Sequence, residues 1–268
     1  MFGNKKDILR FLLLVIPLSV PFYLLNLIPV KLFPFGMPTS VLMIIVPLGL
    51  AIYGVRKNGG TDKLKEFFRA ILDFKKAKKR FSLVLSFLFM PVLFLIAAII
   101  KDPNNLLGIF QDGSIILLFV GGFVFFYFGA IFEELAWTTY ATPVLQKSYG
   151  ILKTGVLIGV VWGLWHLVPY IMMGHDTRTI FFLTTCSVAY RIIMGYLYRY
   201  SGGATTSALL FHTMINLTPE LLPGGYKAFD FRTLAILLWV SVVIFLFCTF
   251  YRQCKKYDSK KHDNLLFV

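Results

Sequence analysis

Two carboxylates, two imidazoles and an amide interrupt apolar sequence: Glu133 and Glu134 in IFEELAWTTY, His166 in VWGLWHLVPY, and His212 with Asn216 in LLFHTMINLT. Groups of these types can activate water, relay protons or line an ion path. A single histidine or asparagine on a membrane helix is also ordinary interhelical glue, worth ~0.6–2 kcal/mol. Adjacent glutamates are harder to explain in that way, because ionisable groups at bilayer depth are costly and usually mark function. Together the three fragments point to one shared polar site.

Helical spacing says how such a site would be assembled. His212 and Asn216 are related as i and i+4 and share a face, as are Trp162 and His166. Glu133 and Glu134 are neighbours about 100° apart on a helix, so one faces the site and the other supports it. Glu133 and His166 also stand at nearly equal distances along the chain on either side of Gly150. If the chain reverses there, both reach one depth, roughly 25 Å along the helices from the turn. The expected catalytic core is therefore residues 114–220, with Trp137, Trp162 and Trp165 packing around it or anchoring at the interface.

Composition demands a membrane. The 268 residues are 57% hydrophobic, 17% aromatic and only 15% charged, more apolar side chain than a soluble domain of this size can hide. The mean hydropathy is +0.74. Eight apolar stretches are long enough to cross a bilayer: residues 8–30, 35–55, 81–100, 114–145, 151–173, 179–198, 203–222 and 233–251. No period-2 alternation suggests a barrel, so the fold class is an all-α polytopic bundle in a single transmembrane domain, residues 1–268. The expected location is the cell membrane or another cellular membrane, and the bilayer is itself a partner.

The net charge of +14 gathers in residues 1–10, 56–80, Lys147 with Lys153, Arg199 and 252–263. The opposite loops hold Lys31; Lys101, Asp102 and Asp112; Asp176 and Arg178; and Glu220, Lys227, Asp230 and Arg232, which nearly balance. Because Lys and Arg concentrate in cytoplasmic loops, both termini are expected to face the cytoplasm. Charge placed beside headgroups also removes nucleic acid as an explanation for the basic balance. Within residues 61–80, Leu64, Phe67, Phe68, Ile71 and Leu72 recur at helical spacing between Lys and Arg, the pattern of an amphipathic helix at the interface. The N-terminal apolar run continues without a cleavage site and reads as a retained span. Cys186, Cys248 and Cys254 form no CxxC pair, so neither a disulfide frame nor a thiolate metal site is indicated. His175 and His262 sit in polar loops.

Glu133-Glu134 followed by Trp137 and Tyr140, then Trp162-x-x-x-His166, then His212-x-x-x-Asn216, in that order on successive apolar helices, resemble the three motifs of the CPBP family. This is the CAAX protease and bacteriocin-processing, or Abi, family of intramembrane endopeptidases. The resemblance implies hydrolysis of a peptide bond in a membrane-associated or C-terminal peptide, with a peptide or membrane protein as substrate. Glu133 with His166 would orient and deprotonate water, and His212 with Asn216 would stabilise the oxyanion. Glu134 and Trp162 would support them. The preferred mechanism needs no cofactor, although Glu133, His166 and His212 also compose a His₂Glu set of the kind that holds zinc, without HExxH spacing.

One position departs from the family pattern. The first motif usually carries an arginine where this chain has Thr138, so the charge that would neutralise Glu134 is missing from its own helix. Arg191, the only basic residue well inside a span, is the candidate substitute; snorkelling towards the inner surface is its alternative. Thr138 also sustains a second reading, a proteolytically inactive relative that regulates or scaffolds a membrane partner. A transporter is a third, and would call for inverted repeats that the sequence does not display.

Overall fold

In lipid, a backbone must satisfy its own hydrogen bonds, and the chain does so as helices, with no strand among the described residues. The computed structural model describes residues 2–27, 32–77, 80–103 and 114–265, without the side chains of Lys76, Ser114, Lys227 and Ala228 or any beyond Tyr251. Residues 28–30 of the first expected span, and Lys31, Lys78, Lys79 and Asp112 of the charge distribution, lie outside the described residues, as do the side chains of 252–263. The helices are α1 (Lys5–Leu24), α2 (Ile45–Arg69), α3 (Arg80–Lys101), α4 (Ser114–Glu134), α5 (Thr142–Trp165), α6 (Leu167–Met172), α7 (Thr177–Tyr200), α8 (Thr205–Glu220), α9 (Gly225–Ala228) and α10 (Phe231–Leu265).

Among the described residues, six helical runs are long and apolar enough to cross a membrane. One of them, Ile115–Trp165, has 51 residues, which at ~1.5 Å per residue is far more than one crossing needs. It breaks at Gly150, whose φ of 77° only glycine adopts without strain. The chain turns back there, and this run holds the fourth and fifth expected spans. The seventh expected span is α8, whose 16 residues are shorter than a full crossing and pack between α3 and α4. The protein is thus a multi-pass membrane bundle.

Close packing of α5 on α7 is written in Gly155, Gly159 and Gly163, one face of α5 stripped of side chains. A Cβ on Gly155 would lie 2.6 Å from the Ile192 Cα, and one on Gly159 would lie 2.6 Å from the Val188 Cα. Helices in lipid associate through such close contact, since lipid supplies no hydrophobic drive between them. The contact holds Arg191 of α7 against the indole of Trp162 on α5.

α8 is fixed from several sides. Its N-cap, Ala204, has no side-chain acceptor for the free N–H groups of the first turn. Asp73 supplies one from outside: its carboxylate accepts the Thr205 and Thr206 N–H groups at 3.0 and 3.1 Å and the Thr206 hydroxyl at 2.9 Å. Hydroxyl pairs Ser86–Ser207 (2.7 Å) and Thr139–Thr205 (2.9 Å) tie it to α3 and to the turn after α4. α1 braces the end of α5, where the Trp165 indole donates to Ser19 Oγ at 2.7 Å and the Tyr23 hydroxyl donates to the Trp165 carbonyl at 2.8 Å.

The segment expected as an amphipathic interfacial helix over 61–80 follows a break at Gly60 (φ 66°). It continues to Arg69 and then tightens into a 3₁₀ stretch over Ala70–Lys76. Its apolar side chains divide between two environments. Phe67 is buried against Phe2, with ring centroids 5.5 Å apart, whereas Leu72 and Phe74 face outward. Asp73 is buried between them, because its carboxylate has the α8 terminus to serve.

Candidate functional site

α4 ends on Glu133 and Glu134, and the helix then widens into a π-helical turn over Leu135–Ala141. The Thr142 N–H returns five residues, to the Trp137 carbonyl. Pro143 follows and has no N–H to continue a regular ladder. Such turns recur at functional sites. Here it is completely buried and carries Trp137, Thr138 and Tyr140.

The two glutamates have different surroundings. Glu134 is fully enclosed. Its Oε2 accepts from Arg191 Nη1 at 2.8 Å and from the Thr138 hydroxyl at 2.5 Å, and its Oε1 accepts from His212 Nδ1 at 2.7 Å. Three partners from α7, the π turn and α8 immobilise it. Glu133 instead lines a cavity of about 140 Å³, where its Oε2 accepts the Trp162 indole N–H at 2.6 Å.

His166, His212 and Asn216 line the same cavity. His166 Nδ1 lies 2.8 Å from the Trp162 carbonyl. A carbonyl can only accept, so Nδ1 carries the proton and Nε2 is the nitrogen left for the cavity. The same logic applies to His212, whose Nδ1 donates to the Glu134 carboxylate. The structure therefore gathers α4, α5 and α8 around one hollow, with Glu134 behind its wall.

Trp162 links these groups. Besides its bonds to Glu133 and His166, its ring stands edge to face with His166 (centroids 5.0 Å) and with His212 (5.4 Å). The Arg191 guanidinium carbon lies 4.1 Å from the same ring's centroid. Trp162, expected as a supporting residue with packing or anchoring as its ordinary alternative, touches the cation, both imidazoles and the carboxylate. Arg191 is buried and paired with Glu134, so the snorkelling alternative does not describe it.

The alternative zinc set is Glu133, His166 and His212, which line one cavity. Among the described residues no three His, Cys, Asp or Glu side chains are grouped so as to hold a metal ion. His166 and His212 each hold Nδ1 on a protein acceptor, as metal-bound imidazoles also do, and Glu133 holds the Trp162 N–H through Oε2.

Spacing within the motifs did not reveal several participants. Glu220 and Tyr226 line the cavity, as do Phe35, Met37 and Val41 from the segment before α2. Asp73 positions α8, and its one visible signal was an acid in a basic, amphipathic stretch. The apolar segment before α2 carried no such sign.

Residues 115–218, which contain all three motifs, match the family model described as type II CAAX prenyl endopeptidase, Rce1-like. A protein of Methanococcus maripaludis named CAAX prenyl protease 2 is 26% identical over 201 residues, covering 67% of this chain and 70% of the relative. Matched segment, relative and motif order agree: the membrane core of this chain is similar to the CPBP/CAAX family of membrane proteases.

Proposed function

We propose that the chain is an intramembrane endopeptidase that cleaves a membrane-associated or C-terminal peptide with a water activated by Glu133 and His166. The supporting observation is the division of labour between the glutamates. Glu133 borders the cavity with His166, His212 and Asn216, while Glu134 is locked behind it by Arg191, Thr138 and His212.

In this reading Glu133, held by the Trp162 N–H, takes a proton from water as the water oxygen attacks the substrate carbonyl. His166 Nε2 accepts the water's other hydrogen and aims the lone pair. The carbonyl oxygen becomes an oxyanion, met by the Asn216 amide and by the His212 imidazole that Glu134 holds in place. The proton held by Glu133 passes to the leaving amine as the C–N bond breaks. No metal takes part, and activity is expected to survive exhaustive chelation. The relative's name makes a prenylated C-terminus one substrate to try, beside leader or pheromone peptides and membrane-protein remnants.

The inactive-relative reading rests on Thr138 alone. The Arg191–Glu134 contact weakens it, because the missing cation is supplied from another helix. The deciding experiment compares peptides from cells carrying the wild type or Glu133→Gln at equal expression. A precursor that accumulates only in the variant is expected; identical profiles for Glu133→Gln and His212→Ala would overturn the proposal.

A further inference from the structure

The cavity lies unevenly along the bundle. From the level of Glu133 and His166 it runs past Tyr170 and Met173 to Glu220 and Tyr226, and past Val41 to Phe35. Those are the helix ends that lead into the nearly neutral loops. At the basic end, a separate hollow is lined by Gln146, Lys147, Gly150, Tyr198 and Arg199, and it shares no lining residue with the first. Between them stand the Glu134–Arg191 pair, Thr138 and a space of only about 10 Å³. That volume is about one water molecule.

A second opening lies in the same half as the first. An apolar groove of about 480 Å³ runs between the segment around Phe33–Ile44 and the face of α4 that carries Gly121, Val124, Phe125 and Phe128. It reaches Glu133 and Asn216, which also line the main cavity. Val124 and Phe128 are open to the surrounding lipid. An apolar chain lying in the bilayer can therefore approach the carboxylate sideways, without crossing the charged end.

Lys and Arg concentrate at the end remote from both openings, and that end belongs in the cytoplasm. We infer that the site is loaded from the non-cytoplasmic half of the membrane. Resting on the peptidase reading above, this makes its substrate class a peptide held in the outer half of the bilayer by its own apolar segment, such as a translocated peptide or an outward-facing remnant. A C-terminus presented from the cytoplasm meets the closed, basic end instead.

Cysteine labelling with a membrane-impermeant maleimide tests the sidedness. In a chain with Cys186, Cys248 and Cys254 changed to Ala, Arg178→Cys marks the mouth end and Lys153→Cys the basic end, with Arg232→Cys and Lys147→Cys as second markers should either fold poorly. Intact cells are expected to label Arg178→Cys and to leave Lys153→Cys unlabelled until they are permeabilised. Labelling of Lys153→Cys in intact cells overturns the inference. The peptides that depend on Glu133 supply the second arm: origin from outward-facing segments supports the substrate class, and origin from cytoplasmic C-termini overturns it. An absence of any Glu133-dependent peptide counts against the peptidase reading itself, while the labelling pattern still decides which side the mouth faces.

Discussion

Arg191 Nη1 lies 2.8 Å from Glu134 Oε2, so a cation from α7 stands against a carboxylate whose own helix offers only the Thr138 hydroxyl. Family members with arginine at the Thr138 position would neutralise the glutamate from one turn along. This chain does it across a helix interface. The guanidinium also lies over the Trp162 ring, so the ion pair and the cavity wall are one assembly.

Removing the cation leaves an uncompensated buried carboxylate. Arg191→Ala is expected to lose about 3–5 kcal/mol of stability, read as a lowered unfolding midpoint in detergent or lipid. Thr138→Arg alone forces a second large cation against the same carboxylate and is expected to destabilise as well. The double variant restores one cation for one carboxylate and should be more stable than either single change. Strict additivity of the two losses would refute the exchange.

Trp162→Phe keeps an aromatic ring but deletes the N–H that orients Glu133. A hydrogen bond to a charged group is worth about 1.5–3 kcal/mol, so turnover should fall about 10- to 100-fold. The substitution leaves the groove intact, so KM should change less than kcat. A change confined to KM would assign Trp162 to substrate binding instead.

A side chain at Gly159 has no room, since its Cβ would meet backbone of α7 that cannot turn aside. Gly159→Leu should push α5 from α7 and separate Trp162 from Arg191. Lower stability together with lost activity is expected, whereas Leu at Gly49, where a Cβ meets nothing within 4 Å and which lines neither the cavity nor the groove, should leave both nearly unchanged. Thermal unfolding and turnover of the two variants, measured side by side, check this.

Asp73 lies far along the chain from the motifs, but its three bonds hold the start of the helix that carries His212 and Asn216. Asp73→Ala removes the acceptor and should cost about 1–2 kcal/mol, the range for a lost N-cap. Asp73→Asn retains one accepting oxygen and should fall in between. Hydrogen exchange at the Thr205 and Thr206 amides is the direct readout: faster exchange in Asp73→Ala is expected, and unchanged exchange would remove Asp73 from this role.

Helical periodicity alone was enough to pair His212 with Asn216 and Trp162 with His166, because residues four apart on a helix share a face whatever surrounds them. The reversal at Gly150 was legible from position and residue type. Other features required contacts between distant parts of the chain. Asp73 serves a helix begun more than a hundred residues later, and no local pattern announces such a partner. The segment before α2 lines the cavity through position rather than composition.

The amino-acid sequence by itself determined that the chain enters a membrane as helices and that its few buried ionisable groups lie at compatible depths, because hydrophobicity and helical period are local properties. Which glutamate meets the cavity, where Glu134 finds its cation, and towards which helix ends the cavity extends were decided only by tertiary structure. Those outcomes depend on how α4, α5, α7 and α8 rotate and approach one another. Backbone contact at Gly155 and Gly159 and the shared partners of Glu134 set that rotation, and neither is a property of any single segment.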